Sequence, residues 1–187
     1  MSYELLRGSC LVLCAWLTGC FSPVQDDLIE SLGPEQEGVP EGPTHRYGQP
    51  CLACHDAYYG EGPELSIGGT VFATPDADIP VQGAIVTISD ATGKQVKLTS
   101  NCAGNFYAER RDFDPVFPLR AEVECPLPDG TTRRAVMGTR INRDGSCASC
   151  HQKGAATPQS PGQVYCVPQM PATPFVVPVC NGGPNPQ

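Results

Sequence analysis

One residue pattern constrains this chain more than any other: Cys-x-x-Cys-His occurs twice. Its residues are Cys51, Cys54 and His55 in the first copy and Cys147, Cys150 and His151 in the second. The chain between the copies has to fold with one copy at each of its ends. Because 20 prolines and 20 glycines are spread over 187 residues, we expect long irregular stretches rather than long helices.

The N-terminus predicts export. One Arg precedes a short apolar run that ends in LTGC at Cys20 and is too short to span a bilayer. This end resembles the lipobox of bacterial lipoproteins, in which the signal is cut before a lipidated cysteine. The resemblance implies a signal peptide at 1–19, attachment to the membrane only through lipid on Cys20, and location in the cell envelope. No Asp follows Cys20, which favours the outer membrane. A total of 11 cysteines also indicates an oxidising compartment.

The mature chain divides into four segments by composition. Residues 20–44 contain six acids, four prolines and no basic residue, which predicts a flexible acidic tether. Residues 45–64 carry the first Cys-x-x-Cys-His copy. Residues 65–138 alternate β-branched runs with turns. Residues 139–187 carry the second copy and a proline-rich tail, in which regular helix and central strand are excluded.

The segment 65–138 has the residue pattern of an antiparallel β-sandwich. Its runs are SIGGTVFA, AIVTISD, QVKLTS, NFYAE, PLRAEVEC and TTRRAVMG. In AIVTISD, Val86 and Ile88 alternate with Ile85 and Thr87, as expected for a strand with one buried face. Turn signals such as DATGK separate the runs at intervals of about 8–12 residues. The sequence therefore predicts a mainly β fold, a small sandwich between irregular Pro/Gly-rich ends.

The stretch GGTVFATPDADIPVQGAIVTISDATGKQVKLTSNCAGNFYAE resembles the carboxypeptidase-regulatory-like, transthyretin-type β-sandwich. The resemblance lies in GTV, VQGAIVTISDATGK and TSNCAGNFY, in the order and spacing of that family's first four strands. It implies a scaffold or binding module rather than an enzyme.

Four cysteines remain outside the signal, the lipidation site and the two copies of the pattern. They are Cys102, Cys125, Cys166 and Cys180. Because an even number of cysteines remains in a chain predicted to be exported, we expect two disulfides, with three possible connectivities. We expect Cys102 to pair with Cys125 at one end of the sandwich, and Cys166 with Cys180 across the tail.

Cys-x-x-Cys-His is the attachment signature of c-type haem. The two thiols reach the two vinyl groups of one porphyrin, and the adjacent imidazole meets the iron. The chain thus resembles diheme c-type cytochromes in this motif, which implies two covalently bound haems with His55 and His151 as axial ligands. His45 and Met170 are the candidate sixth ligands.

Two other interpretations of the cysteine pairs stay open. Four thiolates brought together by the fold would make one tetrahedral zinc site. Each Cys-x-x-Cys pair could also close on itself as a disulfide. Either interpretation would make the protein a non-redox envelope module that binds a protein or a glycan through its loops.

Net charge and composition argue against some classes of function. A charge of −8 argues against a nucleic-acid partner, since phosphate binding needs a basic face. An acidic surface instead attracts a basic redox protein. No hydrolytic constellation is evident among three histidines, so an electron carrier is predicted rather than an enzyme.

Overall fold

The computed structural model describes residues 22–35, 37–57, 62–153 and 160–180, so the predicted signal peptide and Cys20 lie outside the described residues. The described chain is mainly β, as predicted. Its strands are β1 (Leu65–Thr70), β2 (Ile85–Ser89), β3 (Gln95–Thr99), β4 (Asn105–Glu109), β5 (Arg120–Pro126) and β6 (Thr132–Val136). Its helices are α1 (Pro23–Ser31), the single turn α2 (Leu52–His55) and a 3₁₀ turn at Cys147–Ser149.

The strands form two antiparallel sheets. One consists of β1 and β4, and the other has the order β3-β2-β5-β6. Each strand coincides with one of the six predicted runs. The alternation predicted for β2 is also confirmed, because Val86 and Ile88 are buried while Ile85 and Thr87 are half-buried.

A hydrophobic core lies between the two sheets. It is built from the inward positions of the strands and from loop residues that cover them. Its largest fully buried members are Phe113, Ile67, Ile88, Leu119, Val71, Pro80 and Cys125. Removing a side chain of this size from such a core typically costs several kcal/mol. The sandwich therefore has enough buried apolar surface to act as a rigid support for the segments that flank it.

The four predicted disulfide cysteines are all bonded, but the predicted pairing is wrong. The bonds are Cys102–Cys180 and Cys125–Cys166, each with an S–S distance of 2.04 Å. Cys125 is the buried penultimate residue of β5, and Cys102 lies in the turn that leads from β3 in the four-stranded sheet to β4 in the other sheet. Each of the two bonds to a cysteine of the tail, because the tail packs against the sandwich and reaches both.

The proline-rich tail runs beside the chain that follows β1. The Phe72 N–H donates to Val164 O at 2.9 Å, the Cys166 N–H donates to Phe72 O at 2.9 Å, and the Val167 N–H donates to Ala73 O at 3.0 Å. This short ladder holds the tail against the sandwich without a regular strand. It also carries Cys166 to Cys125.

The segment 20–44 is not irregular throughout, because it contains α1. Pro23 occupies the start of this helix, where its missing N–H costs nothing, and Asp26 lies in the favourable first turn. No residue of α1 is buried, and Val24 is 79% exposed. The helix belongs to a compact unit that ends at Gly33 and is separate from the sandwich. Among the described residues, no helix combines the length and apolarity needed to cross a bilayer.

Candidate functional site

The two Cys-x-x-Cys-His copies adopt the same local structure. In the first, the N–H groups of Cys54 and His55 both donate to Cys51 O, at 3.3 and 3.1 Å. In the second, the corresponding groups donate to Cys147 O, at 3.2 Å from Cys150 and 2.8 Å from His151. Each copy is thus one helical turn that brings its two cysteines and its histidine together.

The two turns dock on two adjacent glycines of β1, one glycine for each turn. A Cβ on Gly68 would lie 2.7 Å from Cys51 Cβ and 2.8 Å from its Sγ. A Cβ on Gly69 would lie 2.8 Å from Cys147 Cβ and 3.1 Å from its Sγ. Side chains on successive strand residues point to opposite faces. The first cysteine of each copy therefore packs on its own face of β1, at adjacent positions.

The second copy reaches β1 along the edge that β4 leaves open. Gly145 O accepts a hydrogen bond from the Gly68 N–H at 3.0 Å, and Ser146 forms a parallel bridge with Gly68. A Cβ on Gly145 would lie 1.9 Å from Ser66 O, a distance that no side chain tolerates. Glycine is thus required here for close approach of two backbones.

The functional residues predicted from the sequence did not include Gly68, Gly69 or Gly145. A Gly-Gly pair inside an otherwise β-branched run was nevertheless a signal, because glycine in a strand often marks a site where another chain segment comes close. The Gly-Gly pair indicates that another chain segment packs closely on β1, but it does not identify that segment.

None of the four cysteines of the two copies is disulfide-bonded. Burial, and to a lesser extent the neighbouring Cys54, raise the pKa of Cys51 to about 11. Burial, followed by the proximity of Cys51, raises the pKa of Cys147 to about 12. Cys150 is exposed. The part of the chain that the structure describes contains no group of three or more His, Cys, Asp or Glu side chains arranged for a metal ion, so the four thiols are not gathered as a tetrahedral site.

The structure defines the surroundings of the Nδ1 atom in the histidine of each copy. His151 Nδ1 lies 2.9 Å from Gly162 O, which fixes the ring and leaves Nε2 for another partner. His55 Nδ1 is buried and has no hydrogen-bond partner among the described residues. Leaving a buried polar nitrogen without a partner is costly.

His45 lies beside His55. The ring centroids are 5.7 Å apart and the planes differ by 16°. The Gly42 N–H donates to His45 Nδ1 at 3.2 Å, and Asn105 Nδ2 donates to His45 O at 3.0 Å, which ties this loop to the start of β4. Burial lowers the pKa of His45 and outweighs the opposite effect of Glu35, so the imidazole is neutral at neutral pH.

Met170, the other candidate sixth ligand, is 40% exposed in the tail. It lies in the irregular part of the chain between the two tail cysteines. The structure thus brings one of the two candidate ligands, His45, next to a histidine of the repeated pattern.

A cavity of about 370 Å³ opens beside His151. It is lined by residues from the loop that precedes the first copy, from the sandwich and from the tail. They are Pro34, Arg46, Tyr47, Gly48, Gln49, Phe72, Asp78, His151, Lys153 and Gln163. Burial, and to a lesser extent the Asp78 carboxylate, raise the pKa of Tyr47 above its usual 10.0. The loop 45–49 therefore contacts the surroundings of both histidines, His55 through His45 and His151 through this cavity.

Comparisons with family models, with curated proteins and with solved structures found no match to this chain.

Proposed function

We propose that this protein is a lipid-anchored diheme c-type cytochrome that carries electrons at the cell envelope. The observation that carries the proposal is the structural equivalence of the two Cys-x-x-Cys-His turns. Each presents two cysteines and a histidine on one helical turn, and the two turns dock on adjacent glycines of β1. Two segments far apart in the sequence thus share one donor set and one backbone hydrogen-bond pattern, as two equivalent haem-attachment sites would.

The donor set of each turn fits covalent haem. Cys51 and Cys54 in the first turn, and Cys147 and Cys150 in the second, supply the two thiols that thioether attachment needs. His55 and His151 supply the proximal imidazoles. The hydrogen bond between His151 Nδ1 and Gly162 O would fix that ring with Nε2 available for a metal. When bound, haem iron supplies the one-electron chemistry, and the protein tunes it through ligands, hydrogen bonds and burial.

His45 is proposed as the sixth ligand of the first haem. Its ring lies next to that of His55. Its Nδ1 accepts a hydrogen bond from the Gly42 N–H, so ligation through Nε2 would require this bond to be given up and the proton to move to Nδ1. The neutral imidazole is the form that binds metals. The proximity of His45 favours it over Met170 at this haem.

The envelope location rests on the sequence. The lipobox-like LTGC motif supports lipid attachment at Cys20 and the outer membrane. The acidic residues of the segment 20–44 support a basic redox protein as the partner, since opposite charge raises the rate of encounter.

Purification from cells that mature c-type cytochromes tests the proposal. We expect a red protein with a Soret band, a reducible α-band of the c type, and two haems per chain that acidic acetone does not extract. The variant Cys51→Ala/Cys54→Ala and the variant Cys147→Ala/Cys150→Ala should each keep one haem.

The ligand and fold controls use the histidines. His55→Ala and His151→Ala should change the ligation spectrum while leaving far-ultraviolet circular dichroism unchanged, because the sandwich core does not include these residues. A colourless protein with one zinc per chain, or with an alkylation pattern that shows a disulfide within each pair, would overturn the assignment.

A further inference from the structure

Strand β6 forms an open edge of the four-stranded sheet. It pairs with β5 on one side, and no strand of the described chain follows it on the other. The Met137 N–H donates to Ala121 O at 3.0 Å. Because bonded and non-bonded residue pairs alternate in an antiparallel ladder, Arg133 and Ala135 also bond to β5. The backbone N–H and C=O groups that point away from β5, along the open edge, are those of Thr132, Arg134 and Val136.

Both faces of β6 are exposed as well as its edge. All five of its residues are exposed, and Val136 is 63% exposed. Ala135 lies opposite Val123, and Arg133 lies opposite Cys125. Since Val123 and Cys125 are buried, the covered part of the sheet ends at β5. An exposed edge with unpaired backbone groups is a template to which another extended chain can add.

The chain at this edge is strongly basic, in a protein with a net charge of −8. Residues 130–143 contain four arginines and no acid. All four are exposed: Arg133, Arg134, Arg140 and Arg143. Among the described residues, Arg134 alone of the four has an ion-pair partner, Glu122 on β5. Charged side chains often protect an edge strand from unwanted pairing, but Arg140 and Arg143 lie beyond the strand and are not explained in this way.

We propose that the open edge of β6 is a docking surface for an extended acidic segment of a partner protein, which adds to the sheet as a further strand. The inference goes beyond the proposed function and does not depend on haem. The backbone groups of the edge would pair with the added strand, and the arginines would select acidic side chains. Arg133 and Arg134 lie on opposite faces of β6, so two adjacent acids of the partner would place one carboxylate on each face.

An acidic strand fits this edge better than the other possible occupants. Pairing of β6 with a second copy of itself would bring the arginines of both copies into one short ladder, where like charges are destabilising. An anionic membrane surface would attract the arginines but would leave the backbone groups of the edge without strand partners.

Binding of a labelled peptide by the purified protein tests the proposal. The probe has two adjacent glutamates flanked on each side by threonine and valine, and fluorescence polarisation measures its affinity. We expect saturable binding that weakens as added salt screens the charges. A peptide with lysines in place of the glutamates should not bind, and neither should one with methyl groups on alternate backbone nitrogens.

Two variants separate the contributions of charge and backbone. Arg133→Gln/Arg134→Gln should weaken binding about fivefold, as expected for two exposed ion pairs. Val136→Pro removes an outward N–H without changing a charge or a hydrogen bond to β5, and should weaken binding about tenfold. The control is Lys94→Gln/Lys97→Gln, which removes two exposed charges at the opposite edge of the same sheet and should leave the affinity unchanged.

Absence of saturable peptide binding, or equal affinities for the arginine variant and the lysine control, would overturn the inference. If Val136→Pro does not fold, the arginine variant still decides. Arginine-dependent binding to phosphatidylglycerol vesicles without peptide binding would overturn it in favour of a membrane surface. A dimer of the parent chain that the arginine variant strengthens would overturn it in favour of a second copy. The haem content, which tests the proposed function, is measured separately from all of these outcomes.

Discussion

The docking of both turns on Gly68 and Gly69 gives the sharpest stability prediction. Alanine at either position would place its Cβ within 2.8 Å of a cysteine, closer than real contacts allow. At Gly69 the added atom would also meet Phe106 Cζ at 2.8 Å, on a ring that is 2% exposed. Overpacking of this kind costs about 1–3 kcal/mol, so we expect each variant to lose about 2 kcal/mol.

Gly138→Ala is the matched control. An added Cβ there has nothing within 4 Å, so the smaller entropy of the unfolded chain should stabilise the protein by about 0.5 kcal/mol. The difference between the control and either β1 variant should be about 2.5 kcal/mol, the sum of these two effects.

Urea unfolding followed by circular dichroism measures this difference. The signal has to come from the backbone, because the single tryptophan is Trp16, in the predicted signal peptide. With a urea dependence of about 2 kcal/mol per molar, a loss of 2 kcal/mol moves the midpoint by about 1 M. Equal midpoints for Gly68→Ala, Gly69→Ala and Gly138→Ala would refute the argument that the glycines exist to receive the two turns.

Three further predictions concern the sandwich. Cys102→Ala/Cys180→Ala removes a bond across 78 residues and should cost about 4 kcal/mol in urea unfolding, and a reductant should destabilise the parent chain by more, because it also opens Cys125–Cys166. Phe113→Ala should cost about 3–5 kcal/mol, because its ring is fully buried; a loss below 1 kcal/mol would contradict the core described above. Hydrogen bonds, first from Thr92, hold the pKa of Asp90 below its usual 3.8. The unfolded chain therefore takes up this proton first on acidification, and the contribution of Asp90, present above 3.8, is lost as the pH falls through the folded pKa. The urea midpoint of Asp90→Asn should accordingly vary less with acid pH than that of the parent, and parallel curves would contradict this.

Much of the sandwich could be predicted because its information is local. Val86 and Ile88 alternate with Thr87 and Ser89, and turn residues mark both ends of each run. The disulfide pairing could not be predicted in this way. It depends on where the irregular tail packs against the sandwich, which no local pattern indicates. Proximity in sequence favoured the pairing of Cys102 with Cys125, but the tail supplies both partners.

In the candidate site, too, the local features could be predicted from the sequence and the long-range ones could not. The donor residues of each Cys-x-x-Cys-His turn could be read directly, since the pattern spans five residues. Their relation to one another depends on β1, which accepts one turn on each face. The cavity beside His151 is assembled from segments far apart in the sequence, and the left-handed φ of Arg46 has no sequence signature when the residue is not glycine.

The loop 45–49 connects the two halves of the proposed site. His45 lies beside His55, while Arg46 and Tyr47 face the cavity at His151. The loop is fixed to the sandwich through the contact of Gly48 with Thr70, at the end of the strand that carries both docking glycines. One strand, β1, therefore receives both turns, and the loop fixed to its end packs beside the histidine of the first turn. The β-sandwich is more than a spacer, because it fixes the positions of two Cys-x-x-Cys-His turns that lie far apart in the sequence.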